Sequence, residues 1–240
     1  MKTIILLTGS IGQQQALSFL LKEHNPALSF RGAVSSEDLA AIEPEVLREA
    51  RLVAFVSGVI VPEAILQMLG HGAYNFHPGP PHYPGWAPAH FALYDGARIF
   101  GATAHEMAAH VDSGPIVGVE SFAIPNDVGV RELEQMAFVR LAHLFWRMSK
   151  RIACEAGALQ ALAIGWSGTK STKRMYEEFC QLPADISAAE LKRRVRAFDD
   201  DFRGIPLTVN LHGASFKLIA ATAPKPEAPE VEAPPLAIAS

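Results

Sequence analysis

The sequence predicts an α/β domain with a mostly parallel β-sheet, followed by a small α+β module near the C-terminus. The chain opens with a short apolar run, a glycine-containing turn and a helical segment, an order typical of parallel α/β domains. A second apolar run, at Arg51–Val56, is almost continuous, as in strands that are buried on both faces. After residue 165 the composition becomes more charged, which marks the module.

Apolar runs, glycines and prolines locate the elements of the front half. We expect strands where short apolar runs are bounded by turn residues, and helices where apolar residues recur every three or four positions. The expected elements are a strand at Thr3–Leu7, a helix at Gln13–Leu21, a strand at Phe30–Val34, helical turns at 36–39 and 44–50, a strand at Arg51–Val56, a helix at Pro62–Leu69 and a strand at Gly72–Phe76.

Residues 78–88 contain five prolines and two glycines, which predicts a rigid irregular loop. Beyond this proline loop we expect a helix at His90–Tyr94, a hairpin of Gly101–Ala108 with Ile116–Phe122, a long helix at Val130–Gly157, a charged helix at Ile186–Phe198 and a second hairpin of Leu207–Leu211 with Ser215–Ala220. We assign four residues of the long helix to the core because amphipathic stripes usually pack: Phe138, Leu141, Leu144 and Phe145.

Three parts of the chain follow from these elements. Residues 1–165 form the main domain and residues 166–222 the small module. Residues 223–240 consist largely of Pro, Ala and Glu, a composition that cannot bury a core, so we expect a disordered tail.

Composition excludes several classes of protein. With 240 residues, 49% hydrophobic and 19% charged, the chain is an ordinary globular protein. A net charge of −4 argues against a dedicated nucleic-acid binder. The two cysteines, Cys154 and Cys180, support neither a disulfide framework nor a zinc ribbon. The first apolar run is too short for a secretory signal and no run could span a membrane, so we expect a cytoplasmic protein without a membrane partner.

Asn75, His77 and Asp112 carry the predicted chemistry. Asn75 and His77 lie at the C-terminal end of an expected strand, where ligands bind in parallel sheets. We expect the amide of Asn75 and a protonated imidazole of His77 to donate hydrogen bonds to a developing oxyanion, and the carboxylate of Asp112 to hold the imidazole and remove a proton. These groups suit the transfer of an acyl-type group to an amine.

Three segments occur in the order found in the folate-dependent formyltransferases, and the chain resembles this family over residues 1–165. They are Val56–Pro62, the motif Asn75-x-His77-Pro78 and the motif Asp112-x-Gly114-Pro115-Ile116. The resemblance implies the Rossmann-like formyltransferase fold, 10-formyltetrahydrofolate as formyl donor, catalysis by Asn75, His77 and Asp112, and no metal. It also implies a set of folate contacts: Ser57, Gly58, Val59, Ile60, Val61, His110 and Val111.

The implied activity is formyl transfer to a primary amine of a small molecule or a nucleotide-linked sugar. Two alternatives stay open: a formyltetrahydrofolate hydrolase that uses the same three residues, and a folate-binding module without activity. Initiator tRNA is a less favoured acceptor, because the tRNA enzymes carry a larger C-terminal barrel. A homodimer is compatible with the resemblance.

The chain departs from the family pattern after His-Pro. It continues Gly79-Pro80-Pro81, whereas the family usually has Ser-Leu-Leu-Pro, so the identity of the acceptor is the open question. The front half is also short by about one helix–strand unit relative to the family. The turn Gly9–Gly12 is either a phosphate-binding loop or, as we favour, a plain turn.

Other polar and aromatic residues have two interpretations each. Two histidines at positions 105 and 110 imitate a zinc-protease motif, but their spacing of five rather than four favours a strand and a loop. Solvated or stacking roles are expected for His82 and His90. Tyr83 and Trp86 either line the acceptor pocket or only fix the proline loop. The basic run Lys170, Lys173 and Arg174 either meets an anionic group of the acceptor or remains a solvated surface.

Overall fold

The computed structural model describes residues 1–199 and 201–219, so the expected disordered tail lies outside the described residues. The strands are β1 (Thr3–Thr8), β2 (Ser29–Ala33), β3 (Ala50–Phe55), β4 (Ala73–His77), β5 (Ile99–Glu106), β6 (Ile116–Ala123), β7 (Gln181–Leu182), β8 (Thr208–Leu211) and β9 (Ala214–Lys217). The helices are α1 (Ile11–His24), α2 (Ser36–Ala40), α3 (Pro44–Arg48), α4 (Glu63–Met68), α5 (Pro88–Asp95), α6 (Val130–Cys154), α7 (Lys173–Cys180) and α8 (Ala188–Phe198), with a 3-10 turn at Asp201–Arg203.

A six-stranded sheet with the order β2-β1-β3-β4-β5-β6 forms the centre of the main domain. Strands β1 to β4 pair in parallel, whereas β5 and β6 add an antiparallel hairpin at one edge. The predicted α/β class is therefore confirmed, together with the expected hairpin. The register pairs Asn75 of β4 with His105 of β5, and His77 with Thr103.

Both faces of the sheet are buried, which explains why the strands are apolar without alternation. Successive residues of β1 point to opposite faces. Ile4 and Leu6 join a cluster with α1 and α6, whereas Ile5 and Leu7 join a second cluster with α2, α3 and α4. Strand β3 is buried on both faces in the same way, so none of its side chains is accessible to solvent.

Arg51 is fully buried at the start of β3 and is stabilised by carbonyl oxygens. Its guanidinium donates to His71 O at 3.0 Å, to Ile152 O at 2.8 Å and to Gly157 O at 2.6 Å. Ile152 lies in the last turn of α6, where carbonyl groups lack partners within the helix. Arg51 therefore fastens the C-terminal end of α6 to the sheet, and its charge is compatible with burial.

The C-terminal module consists of α7, α8 and a small sheet with the order β7-β8-β9. Helix α8 begins as expected, with Ser187 Oγ accepting from the amide of Glu190. Helix α7 and the two-residue β7 were not predicted. The N-cap of α7, Thr172, accepts from the amide of Met175, and this Thr was the local signal that would have indicated a helix.

Phe138 was wrongly assigned to the core. Its side chain is 41% exposed, whereas Leu141, Leu144 and Phe145 are buried. Phe138 packs edge-on against Phe55, with ring centroids 5.9 Å apart, near the C-terminal edge of the sheet. Ala137 and Leu141 in the same turn are buried, so Phe138 lies at the edge of the apolar stripe and is only partly covered. Among the described residues, no helix is long and apolar enough to cross a membrane.

Candidate active site

The three predicted catalytic residues lie together at the end of β4. Asn75 and His77 are two positions apart on this strand and therefore point to the same face. His77 is 6% exposed, and its Nδ1 lies 3.6 Å from Oδ2 of Asp112, which is also 6% exposed. An amide, an imidazole and a carboxylate thus border one crevice.

His105 is a fourth member of this cluster that sequence analysis considered only as part of a false zinc motif. Its Nε2 lies 3.1 Å from Oδ1 of Asp112 and 3.2 Å from Nδ2 of Asn75. The ring occupies this place because β5 pairs with β4 and sets His105 opposite Asn75. β4 and β5 are separated along the chain by the proline loop and α5, so no local signal in the sequence places His105 opposite Asn75.

The local structure keeps Asp112 charged. Burial by itself raises the pKa of its carboxyl group, but the neighbouring imidazoles of His105 and His77 and the amide of Gly85 lower this pKa to about 2. The Gly85 amide donates to Oδ2 at 2.7 Å. Asp112 is therefore a carboxylate at neutral pH and can accept a proton.

His77 is held neutral in the free protein. Its Nε2 lies 3.3 Å from the carbonyl oxygen of Tyr83, which can only accept, so Nε2 carries the proton. Burial lowers the pKa of His77, and the opposing charge of Asp112 only partly offsets this effect. The imidazole therefore presents a donor at Nε2, and its unprotonated Nδ1 faces the carboxylate.

Gly79 explains how the proline loop approaches His77. A Cβ atom at this position would lie 2.6 Å from Nε2 of His77 and 2.9 Å from Cβ of Pro88, so a larger residue requires a shift. The carbonyl oxygen of Gly79 accepts from Oγ1 of Thr103 at 2.7 Å, which anchors the loop to β5. Gly79 stands where the family usually has Ser. Because it has no side chain, the proline loop can fold closely over the imidazole of His77.

Two cavities meet at the cluster. The smaller, about 80 Å³, is bounded by Asn75, His105 and Asp112 and by all of the implied folate contacts except one: Ser57, Val59, Ile60, Val61, His110 and Val111. Gly58 instead lines the larger cavity of about 540 Å³, which borders His77. Ser57 lines both cavities, so they adjoin at this residue.

The larger cavity has aromatic and basic walls. Trp86 of the proline loop lines it, as one of the two interpretations anticipated. Phe138 supplies a second aromatic wall, and Phe202 and Arg203 of the C-terminal module supply a third side. The side chain of Tyr83 lines a different cavity, and only its carbonyl group contacts His77. The module therefore contributes directly to the rim of the site.

Hydrogen bonds and ion pairs bear on two alternatives that the sequence left open: the role of the Gly9–Gly12 turn and the role of the basic run. In the Gly9–Gly12 turn, Ser10 Oγ accepts from the Gln13 amide and Gln13 Oε1 accepts from the Gly9 amide, which favours a plain helix-capping turn. In the basic run, Lys170 Nζ donates to the carbonyl oxygen of Val111 at 2.8 Å. Lys173 and Arg174 pair with glutamates four residues further along α7.

His90 is a buried stacking residue and not a solvated one. It is 0% exposed, and its ring centroid lies 5.0 Å from that of Tyr176. Burial, and secondarily the charge of Arg203, lower the pKa of His90 to about 3, so the ring is neutral.

Comparison with known proteins identifies the family. The family model described as Formyl transferase matches residues 15–140, which is more than half of the chain, and the chain belongs to this family. It is 30% identical over 204 residues to methionyl-tRNA formyltransferase of Variovorax paradoxus (strain S110), covering 85% of this chain and 59% of that protein. It is 26% identical over 215 residues to the enzyme of the same name from Neisseria meningitidis serogroup C, covering 85% and 66%. The chain thus spans about three fifths to two thirds of the length of these two relatives.

Solved structures of related proteins share the fold. A sugar N-formyltransferase from a Shewanella species superposes with a TM-score of 0.75 at 15% identity, covering 91% of this chain and 96% of that one. A 4-N formyltransferase from Francisella tularensis gives a TM-score of 0.69 at 16% identity, with coverages of 90% and 96%. These likenesses extend through the C-terminal module and confirm the expected formyltransferase fold.

Proposed function

We propose that the protein is an N-formyltransferase that moves the formyl group of 10-formyltetrahydrofolate to the primary amine of a small molecule or a nucleotide-linked sugar. One observation carries this proposal: the amide, imidazole and carboxylate stand where the two cavities adjoin. A donor in one cavity and an acceptor in the other would meet at these groups, as a transfer reaction requires.

The smaller cavity suits the donor. Its walls are the Ser57–Val61 segment, which contributes mostly backbone and aliphatic side chains, and the loop that leads to Asp112. A flat heterocycle with polar edges can be recognised by such a backbone segment, and its formyl-bearing nitrogen would then lie near Asn75 and His77. The folate would carry the one-carbon unit, and the protein would supply position and electrostatics.

In the proposed reaction the acceptor amine attacks the formyl carbon and forms a tetrahedral intermediate. Asn75 and the Nε2–H of His77 donate to its oxyanion. We expected a protonated His77, but its lowered pKa indicates a neutral imidazole in the free protein, and the negative charge of the intermediate would favour its protonation. Asp112 takes the proton that the amine loses and returns it, directly or through a water molecule, to N10 as the bond from the formyl carbon to N10 breaks.

The larger cavity suits the acceptor. Its aromatic residues could stack with a planar ring, and Arg131 could face an anionic group, whereas Arg203 is paired with Glu134 of the same cavity. The structural relatives described as sugar N-formyltransferases support a nucleotide-linked amino sugar. The curated relatives are methionyl-tRNA formyltransferases, so an aminoacylated tRNA belongs in the same test.

The test is incubation of the protein with 10-formyltetrahydrofolate and separate acceptors: nucleotide-linked amino sugars, small amines, aminoacylated tRNA, and water alone. We expect mass spectrometry to detect a formylated amine. His77→Ala and Asn75→Ala should each reduce kcat by on the order of 100-fold or more.

Release of formate without an amine would instead indicate the hydrolase, and folate binding with no turnover would indicate the inactive module. Failure to bind a stable 5-formyl folate would contradict all three.

A further inference from the structure

The first residues of the C-terminal module, Trp166–Ser171, cross the outer side of the active site. We refer to this segment as the strap. It contacts the proline loop that covers His77 and also the loop that carries Asp112. Neither cavity at the site is lined by a strap residue, so the strap would act on the site only through these two loops.

The strap is fastened to the proline loop along its length. The amide of Ser167 donates to Pro81 O at 3.0 Å, and that of Ser171 donates to Pro84 O at 3.0 Å. The hydroxyl of Ser171 donates to Trp86 O at 2.6 Å. The approach is close enough that a Cβ atom at Gly168 would lie 2.2 Å from His82 O. The same proline loop supplies the carbonyl group that contacts His77 and the amide that contacts Asp112.

Two strap side chains hold the loop of Asp112. The indole Nε1 of Trp166 donates to Gly114 O at 2.9 Å, and Nζ of Lys170 donates to Val111 O at 2.8 Å. These carbonyl groups lie on both sides of Asp112, whose φ of 48° is in the left-handed region. A non-glycine residue adopts that conformation at a cost and keeps it only when its surroundings enforce it.

Trp166 also packs against the two imidazoles beside Asp112. Its ring centroid lies 6.0 Å from that of His77 and 4.9 Å from that of His105, in nearly perpendicular orientations. One side chain thus contacts both histidines and, through Gly114, the segment that carries the carboxylate.

We propose that Trp166 and Lys170 are positioning residues that hold Asp112 against His105 and His77. Their expected effect on kcat rests on the proposed formyl transfer. Their expected effect on the positions of Asp112, His105 and His77 does not. Neither side chain lines either cavity of the site. Their loss should loosen the carboxylate and imidazoles while leaving both cavities in place.

The first test compares Trp166→Phe and Lys170→Met with Trp146→Phe, whose tryptophan is 59% exposed on α6 and remote from the strap in the chain. Each strap variant removes one hydrogen bond to the Asp112 loop, so we expect kcat to fall about five- to tenfold. The Kd of 5-formyltetrahydrofolate and the acceptor KM should stay within about twofold. Trp146→Phe should match the wild-type chain in every measurement.

The second test needs no activity and follows the His77 ring by NMR titration of the complete chain. Burial lowers the pKa of His77, while Asp112 raises it and His105 lowers it. Trp166→Ala admits water to this ring, so its pKa should rise toward the ordinary 6.5. Trp166→Phe, which leaves a smaller gap, should produce a smaller shift in the same direction.

The outcomes separate the two proposals. If the wild-type chain transfers no formyl group, the proposed function fails, and the His77 titration still decides the role of Trp166. If Trp166→Ala does not fold, the titration and kcat of Trp166→Phe decide it. Wild-type kcat in both strap variants, with an unshifted His77 pKa in Trp166→Phe, would overturn the proposal.

Discussion

At the scale of single residues, the site is defined by groups whose pKa values are shifted from their ordinary values. Asp112 is a carboxylate with a pKa of about 2, compared with an ordinary value of 3.8, and His77 is neutral with a pKa below 6.5. Both shifts favour one ionisation state in the folded protein. Both therefore make the free energy of unfolding depend on pH.

We expect acid to destabilise the protein in two windows. Below about pH 6.5 the unfolded chain protonates His77 and His90 more readily than the folded chain does, so stability falls. Asp112 contributes stability above pH 3.8 that is lost as the pH falls towards 2, and amounts to roughly 2 kcal/mol. Urea unfolding at several pH values measures both effects. Asp112→Asn should abolish the lower window and keep the upper one, and an unaltered lower window would contradict the assignment.

Gly79 provides a second prediction at this scale. Gly79→Ala places a methyl group 2.6 Å from Nε2 of His77, so the imidazole or the proline loop must move. In the proposed reaction kcat should fall at least about tenfold, because small misplacements of reacting groups are costly. Folate affinity, measured by calorimetry, should stay the same, since Gly79 does not line the smaller cavity.

Gly12→Ala is the matched control for Gly79→Ala. Its added Cβ atom meets nothing within 4 Å, and it lies in the first turn of α1. This variant should keep full turnover and gain up to about 1 kcal/mol in stability. A Gly79→Ala protein as active as this control would show that the close approach of the loop is dispensable.

At the scale of elements, α6 serves both the core and the larger cavity. Phe145 of this helix is 1% exposed, whereas Phe138, two turns earlier, is 41% exposed and lines the cavity. Two phenylalanines of one amphipathic helix thus have different roles. Phe145 packs in the core, whereas Phe138 lines the larger cavity.

The two phenylalanines should respond differently to truncation. Phe145→Ala should lower the free energy of unfolding by about 3–5 kcal/mol, because it leaves a cavity in a packed core. Phe138→Ala should cost less, about 1–2 kcal/mol, since about two fifths of its side chain is already in water. In the proposed reaction it should raise the acceptor KM with little change in kcat. Thermal unfolding and steady-state kinetics test this, and equal losses of stability would contradict the distinction.

At the scale of the whole molecule, the C-terminal module and the main domain share a core. Tyr176 and Phe198 of the module belong to the same cluster of buried residues as Phe91 of α5 and Phe100 of β5. Removing the module would expose this cluster to water. The shared core therefore favours a loss of folding over a merely weakened acceptor affinity when the module is deleted.

We therefore expect one cooperative unfolding transition for residues 1–219, with equal calorimetric and van't Hoff enthalpies. A chain that ends at residue 165 should lack a sharp transition and bind a dye for exposed apolar surface. Retention of a sharp transition and of folate affinity by this shorter chain would show that the main domain folds independently.

The sequence by itself determined what depends on neighbours along the chain. Apolar periodicity and capping residues located nearly all of the elements, as for β1 and α8, and the Asn-x-His-Pro and Asp-x-Gly-Pro motifs selected the family and the three proposed catalytic residues. Such signals extend over only a few positions, because helix turns, strand alternation and caps are local.

Only the tertiary structure decided which distant residues meet. His105 joins the site through the register of β4 with β5, and Trp166 reaches it because the chain returns across two loops. Phe138 is partly exposed because it borders the larger cavity, a fact that its periodicity could not reveal. Lys170, although exposed, donates to the carbonyl oxygen of Val111 because the strap passes beside the loop of Asp112. Contacts between residues tens of positions apart depend on how complete elements pack, and that packing is set by the free energy of the whole core.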